Sequence, residues 1–167
     1  MKKERPLFRK TSLLFFLILA FGLLFGGAIN WVHSSKIPWV GDWENYVETK
    51  AKEAGIKIIY LRRAHEIFEE NRLLFIDARS VEKFQEKHIK RAVSLPFDDF
   101  ENRPNLLGQI LEIKDPVVIY CQNRSCDDAL LLAQELREMG KTNLLYYVDG
   151  FELWEAEGCP IDSEISE

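Results

Sequence analysis

Between Lys10 and Lys36 the chain passes through residues 11–32 without a charged side chain: TSLLFFLILAFGLLFGGAINWV. No other feature restricts the fold as much. A helix that crosses a bilayer needs about 20 apolar residues. The apolar core of a cleaved secretory signal needs only about 7–15. The length favours a retained transmembrane helix over residues 11–32. Gly26 and Ala28 have the small-residue spacing of a cleavage site after Ala28, so a signal peptide stays open as the alternative. A buried soluble helix is the weakest of the three readings, because no polar face interrupts the run.

The flanking charge sets an expected orientation. Lys2, Lys3, Arg5, Arg9 and Lys10 against Glu4 give residues 1–10 a net charge of +4; the whole chain carries −5, so the remainder holds −9. A basic head before an apolar span keeps the N-terminus cytoplasmic and sends the following residues across. Trp31, Trp39 and Trp43 then read as an outer-face belt, or Trp39 and Trp43 belong to the surface of the soluble domain. Gly22 and Gly26 have the spacing that lets two helices approach closely, but glycine is too common in membrane helices for this to argue self-association.

Composition removes several classes. Charged residues are 29% and hydrophobic residues 47%, which is a globular balance rather than a disordered one. Three cysteines are too few for a disulfide scaffold or a four-cysteine metal site. His33, His65 and His88 lack ligand spacing, so no metal is expected. The net negative charge argues against nucleic acid as a partner.

The sequence divides into a basic head (1–10), the apolar helix (11–32), a juxtamembrane linker and short helix (33–55), a folded domain (56–162) and an acidic tail (163–167). Pro38 and Gly41 mark the linker, and Gly55 stops the short polar helix. Strand-like runs follow at 56–60, 73–78, 92–95, 116–120 and 144–148. Helix-like stretches lie between them at about 62–70, 80–87, 104–112 and 127–139. Short apolar strands alternating with helices predict an α/β domain, with a mostly parallel sheet covered on both faces.

Open α/β sheets carry their sites at the carboxyl ends of strands. The run PVVIY leads directly into Cys121, then a polar loop, then the helix near Asp127. A thiol facing a helix start meets unpaired amides and a favourable dipole, which promote the thiolate. Successive loop amides can also cradle a negative sulfur. From pattern alone, a nucleophilic cysteine and a buried structural cysteine remain about equally supported.

Three stretches resemble the rhodanese-like family. In LLFIDARSVEKFQEKHIKRAVSLP the matching residues are Asp77, Arg79, Glu82, Phe84, His88, Ile89, Ala92 and Pro96. VVIYCQNRSC resembles the family's strand and active-site loop, with Cys121 in the nucleophile position. VDGFELWEAEGCPI resembles the closing signature through Gly150, Trp154, Gly158 and Pro160. The resemblance covers about residues 56–162. It implies a five-stranded parallel sheet flanked by helices and a sulfurtransferase that needs no cofactor. Cys121 would take a sulfane sulfur from a small donor such as thiosulfate, hold it as a persulfide and pass it to a thiol or cyanide-like acceptor. Gln122, Asn123, Arg124, Ser125 and Cys126 would form the substrate-binding loop. Asp77, Arg79 and His88 would support the structure.

Several positions depart from the pattern. Asp127 and Asp128 occupy the helix start, where either would make an N-cap, and two carboxylates near a thiol oppose its ionisation. Arg124 would partly offset them. Efficient use of anionic thiosulfate is therefore not expected. Lys87, Lys90 and Arg91 replace the glycine, proline and glycine usual around His88, and Asp149 replaces the first of two glycines. The loop acids also motivate a rival reading, a rhodanese-fold interaction or redox-sensing module without turnover. Phosphatase chemistry is the weakest option, because the arginine fork that grips phosphate is missing.

Cys126 follows Cys121 by five positions, as in a subset of the family. Disulfides persist outside the cytoplasm, and a cradle-shaped loop brings two such cysteines within bridging range of about 4.4–6.8 Å between Cα atoms. A reversible bridge opened by a thiol-redox protein partner is one expectation. The other is that Cys126 merely packs beside the helix start. Cys159 is the remaining thiol and a competing partner.

Overall fold

A computed structural model describes residues 7–32 and 46–164. The chain divides into two compact units, residues 1–41 and 42–167. Among the described residues the first contains one helix, α1 (Leu7–Val32). It begins in the basic head, because Arg9 and Lys10 are as helix-compatible as the apolar run they precede. Its apolar side chains stand open: Phe16 is 65% and Trp31 81% exposed, which water would not tolerate over so long a surface. Residues 14–31 are long and apolar enough to span a bilayer, and a signal sequence meets the same description. Trp39, Trp43 and the linker around Pro38 lie outside the described residues, as do residues 1–6 and 165–167.

The second unit opens with α2 (Tyr46–Glu53), then β1 (Lys57–Ile59), α3 (Leu61–Glu70), β2 (Leu74–Asp77) and α4 (Val81–Glu86). Next come β3 (His88–Ile89), β4 (Val93–Ser94), a 3-10 helix (Phe97–Asn102) and α5 (Pro104–Glu112). It ends with β5 (Val117–Tyr120), α6 (Asp128–Glu138), β6 (Leu144–Tyr147), α7 (Gly150–Ala156) and β7 (Ile161–Asp162). Five strands form one sheet in the order β1-β6-β5-β2-β4, and every neighbouring pair is parallel. The fold class expected from the alternating pattern is therefore found. The short antiparallel pair β3–β7 and the 3-10 helix were not anticipated.

β5 is the central strand, and all four of its residues are buried. A strand covered on both faces reads as a continuous apolar run. Side chains alternate across the sheet. Val117, Ile119 and Cys121 join one core with Ile76, Leu132, Ala133 and Leu136. Val118 and Tyr120 join the other with Phe75, Tyr147, Phe151 and Trp154. The register aligns Asp77, Tyr120 and Tyr147 side by side at the carboxyl ends of β2, β5 and β6. Cys121 is the next residue along and faces the α6 side. This row is where the candidate site is built.

Candidate functional site

Cys121 leaves β5 at the sheet's carboxyl edge and is 2% exposed. The loop that follows returns to it: Cys121 and Cys126 are joined by a disulfide, with their Cα atoms 6.1 Å apart. Cys159 lies elsewhere as a half-buried free thiol, its pKa pushed up by burial and then by Glu157 and Glu69.

Three sets of contacts shape the loop. Asn123 closes a turn, its Oδ1 accepting from the Ser125 N–H at 3.0 Å and its carbonyl from the Cys126 N–H at 3.1 Å. These two amides are thus spent inside the loop instead of cradling sulfur. The first amides of α7 then hold the loop's carbonyls, Phe151 N–H to Cys121 O at 2.9 Å and Glu152 N–H to Gln122 O at 3.0 Å. The Glu152 carboxylate accepts from the side-chain amides of Asn123 at 2.9 Å and Gln122 at 3.0 Å, which lowers its pKa. The approach of α7 requires Gly150. Its φ is +75°, and a Cβ there would lie 2.7 Å from Asn123 N and Gln122 C.

Arg124 forms the third set, and it points away from the sulfurs. Its Nε and Nη2 donate to Asp149 Oδ1 at 3.0 and 2.6 Å, and its Nη1 donates to Glu48 Oε1 at 2.8 Å. The other Asp149 oxygen accepts from the Leu61 N–H at 2.8 Å and so caps the start of α3 from 88 positions away. The expected offset of the loop acids by Arg124 therefore does not occur. Its charge is committed to two carboxylates that are themselves buried.

Asp77 and Arg79 form a buried pair below the loop. Arg79 donates through Nε and Nη2 to the Asp77 carboxylate at 2.7–3.1 Å. It also reaches Lys87 O at 2.7 Å and Gln122 Oε1 at 3.0 Å, and its guanidinium lies 4.1 Å from the Phe151 ring centroid. Tyr120 accepts from Ile89 N–H at 3.1 Å, and its pKa is raised by burial and then by Asp77. His88 Nδ1 is 2.7 Å from Phe84 O, and its ring stacks on Phe84. These three sequence-selected residues thus hold β2, α4, β5 and α7 in register, and of them only Arg79 also borders the cleft beside the cysteines.

The cysteines open on a cleft of about 360 Å³ bounded by Ala78–Lys83, Pro96–Asp99 and Asp128. Gln122, Asn123, Arg124 and Ser125 do not line it; they face α7. The cleft is acidic. It holds Glu82, Asp98 and Asp128 against Lys83, since Arg79 is paired with Asp77 and Asp99 with Arg103. Asp127 stands at the N-cap position of α6 yet makes no side-chain cap hydrogen bond. Asp128, one residue inside the helix, turns toward the sulfurs instead. Its Oδ2 is 3.4 Å from Cys126 Sγ and 3.7 Å from Cys121 Sγ. A disulfide has no proton to donate, so these are bare contacts until the bridge is reduced. Burial raises the Asp128 pKa first, Asp127 and Asp98 add to the effect, and Lys83 opposes it. Glu48, Asp149 and Glu152 are the site residues that sequence reasoning missed as partners. The signal for Asp149 was its departure from the family's glycine.

The rhodanese-like domain model matches residues 61–157, which is more than half of the chain, and the protein belongs to that family. Solved structures share the fold. A Bacillus halodurans protein is 17% identical with a TM-score of 0.58, covering 72% of this chain and 86% of its own. A thiosulfate sulfurtransferase from Pseudomonas aeruginosa is 16% identical with a TM-score of 0.56, and the match covers 75% of this chain and 23% of that one. A Rhodopseudomonas palustris protein of unknown function, described as a possible tyrosine phosphatase, is 16% identical with a TM-score of 0.54, covering 75% and 99%. Among curated proteins none matches.

Proposed function

We propose that the protein is a membrane-anchored sulfurtransferase that carries sulfur as a persulfide on Cys121. The observation that carries this reading is the position of Cys121, at the end of the central strand on an acidic cleft, under a loop held by the start of α7. Once the bridge to Cys126 is open, the Cys121 thiolate attacks the outer sulfur of a donor. A new S–S bond forms as the donor's own S–S bond breaks, and the donor leaves as a thiolate or sulfite. An acceptor thiolate then attacks the outer sulfur of the persulfide and takes it.

The cleft's charge supports a choice among donors. Like charges repel across a low-dielectric cleft, so thiosulfate is a poor donor and an uncharged or protein-borne persulfide a better one. The same acids oppose phosphate binding, and Arg124 is committed to Asp149 and Glu48. Phosphatase chemistry is accordingly not supported.

The test is mass spectrometry of the reduced full-length chain in detergent after exposure to thiosulfate or to a low-molecular-weight persulfide. The expected result is one sulfur atom gained on Cys121 from the persulfide, little from thiosulfate, and none in Cys121→Ser. Failure to load from either donor, or loading that survives Cys121→Ser, refutes the reading.

A further inference from the structure

Cys126 has no role in the transfer just described, yet its sulfur is bonded to that of Cys121. Within six residues the loop therefore offers a nucleophile and a second thiol that reaches it. A carboxylate touches both sulfurs. The two sulfurs and the Asp128 oxygen lie within 4.8 Å of one another, close enough to share a metal ion. A disulfide leaves no thiolate ligand, and three adjacent donors with no fourth make a poor structural metal site. The Glu48–Arg124–Asp149 cluster lies beside the same loop. It is saturated by its own hydrogen bonds and anchors the loop.

We propose that Cys126 is a resolving cysteine that reduces the Cys121 persulfide and releases its outer sulfur as hydrogen sulfide, so that the Cys121–Cys126 disulfide is an intermediate of turnover. This rests on the Cys121 persulfide reading above and names the fate of its sulfur. The Cys126 thiolate attacks Cys121 Sγ, the inner sulfur of the persulfide. The Cys121 Sγ–Cys126 Sγ bond forms and the bond to the outer sulfur breaks. The outer sulfur departs with the electron pair as hydrosulfide. It is reduced by two electrons, and the two cysteines are oxidised by two to the disulfide. Asp128 takes the Cys126 thiol proton and delivers one to the departing hydrosulfide. An external dithiol then reduces the bridge and becomes a disulfide itself. Its thiolate enters at Cys126, the more exposed of the two cysteines, which frees Cys121 for the next donor.

The placement of Asp128 fits this proton traffic. It lies nearer to Cys126 than to Cys121, by 3.4 Å against 3.7 Å. A half-buried carboxyl whose pKa is raised holds a proton more readily than an exposed one, and its contact with both sulfurs lets it take a proton from one and return it to the other. Leaving-group acidity also favours the direction, since the better sulfur leaving group departs faster. The acidic cleft, which disfavours thiosulfate, also favours the exit of hydrosulfide once formed.

The test is a single turnover without oxygen. Full-length chain in detergent is fully reduced, freed of reductant and mixed with one equivalent of the persulfide of 2-mercaptoethanol, which carries no carboxylate; released sulfide and intact mass are then followed. Wild type is expected to release one sulfide per chain and to lose two thiols as the Cys121–Cys126 bridge, mapped by peptide mass spectrometry. Cys126→Ser is expected to keep the extra sulfur on Cys121 and to show no sulfide burst. Cys159→Ser is expected to behave as wild type. The inference is overturned if Cys126→Ser loads sulfur and wild type also retains it, or if the burst needs Cys159. Cys126→Ser that fails to load at all while remaining folded refutes the persulfide reading instead, which keeps the two failures distinct.

Discussion

Gly150 is the residue on which the loop's geometry leans most, and replacing it with alanine separates two physical effects. The first is conformational. At φ +75° an alanine pays the left-handed penalty of about 1–2 kcal/mol. The second is steric. The new Cβ would sit 2.7 Å from Asn123 N and from Gln122 C and O, all of them backbone atoms. Backbone cannot swing aside as a side chain can, and overpacking costs about 1–3 kcal/mol. The expected loss is about 2–5 kcal/mol, a large part of the roughly 5–15 kcal/mol that holds a typical domain. Gly158 supplies the control. Its φ is +69°, but nothing lies within 4 Å of an added Cβ. Gly158→Ala should therefore lose only the conformational part, about 1–2 kcal/mol. Urea denaturation of the full chain in micelles measures both. With a slope of about 2 kcal/mol per molar, Gly150→Ala lowers the midpoint by about 1–2.5 M and Gly158→Ala by about 0.5–1 M. Equal midpoints for the two variants would refute the close approach of α7 to the loop.

Three other perturbations test the electrostatics and the membrane reading. Asp128→Asn should stabilise the fold at neutral pH. The carboxyl's pKa is raised in the folded state, so wild type draws stability from it below about pH 4, the ordinary carboxyl range, and loses that stability as pH rises through the raised value. Urea midpoints at pH 4 and pH 7 should thus differ less in Asp128→Asn than in wild type, and an unchanged difference would contradict the burial argument. Arg79→Lys keeps a charge but loses the planar fork that reaches Asp77, Lys87 O and Gln122 at once. It should cost roughly 3 kcal/mol, read as a lower melting temperature, because the Asp77 carboxylate is fully buried. An extracytoplasmic reporter fused after Glu167 should be active and a cytoplasmic one silent; the reverse would overturn the orientation read from the +4 head. Chains that start at Ile29 would show instead that the apolar segment is cleaved.

The legible parts of this fold are those whose determinants are local. PVVIY is a continuous apolar run because β5 is covered on both faces, and α6 shows its buried residues at helical spacing up to Gly140. The 3-10 helix over Phe97–Asn102 gives no such signal, since six residues after Pro96 are too few to establish a period. The two-residue pair β3–β7 depends on Ile89 meeting Ile161 across the domain, which no window of sequence contains. The site divides in the same way. Cys121 is marked by its strand-to-loop position. Arg124 reads as a neighbour of the thiol by sequence, but its partners Asp149 and Glu48 lie 25 and 76 positions away and turn it aside. Asp127 reads as a cap, yet it is Asp128 that turns to the sulfurs.

The anchoring of Arg124 has a consequence for when the cysteines become organised. Its partners come from α2 and from the segment just before α7, and Asp149 must also reach back to the start of α3. Synthesis proceeds from the N-terminus, and domains fold as units. Cys121 and Cys126 are therefore made well before Asp149, Gly150 and Glu152, the residues that fix their loop. Until those residues are in place as well, the contacts that fix the loop cannot form, and the two thiols belong to an unanchored segment. The arrival of α7 ends that state, setting the pair in its cleft only when the sheet is nearly complete.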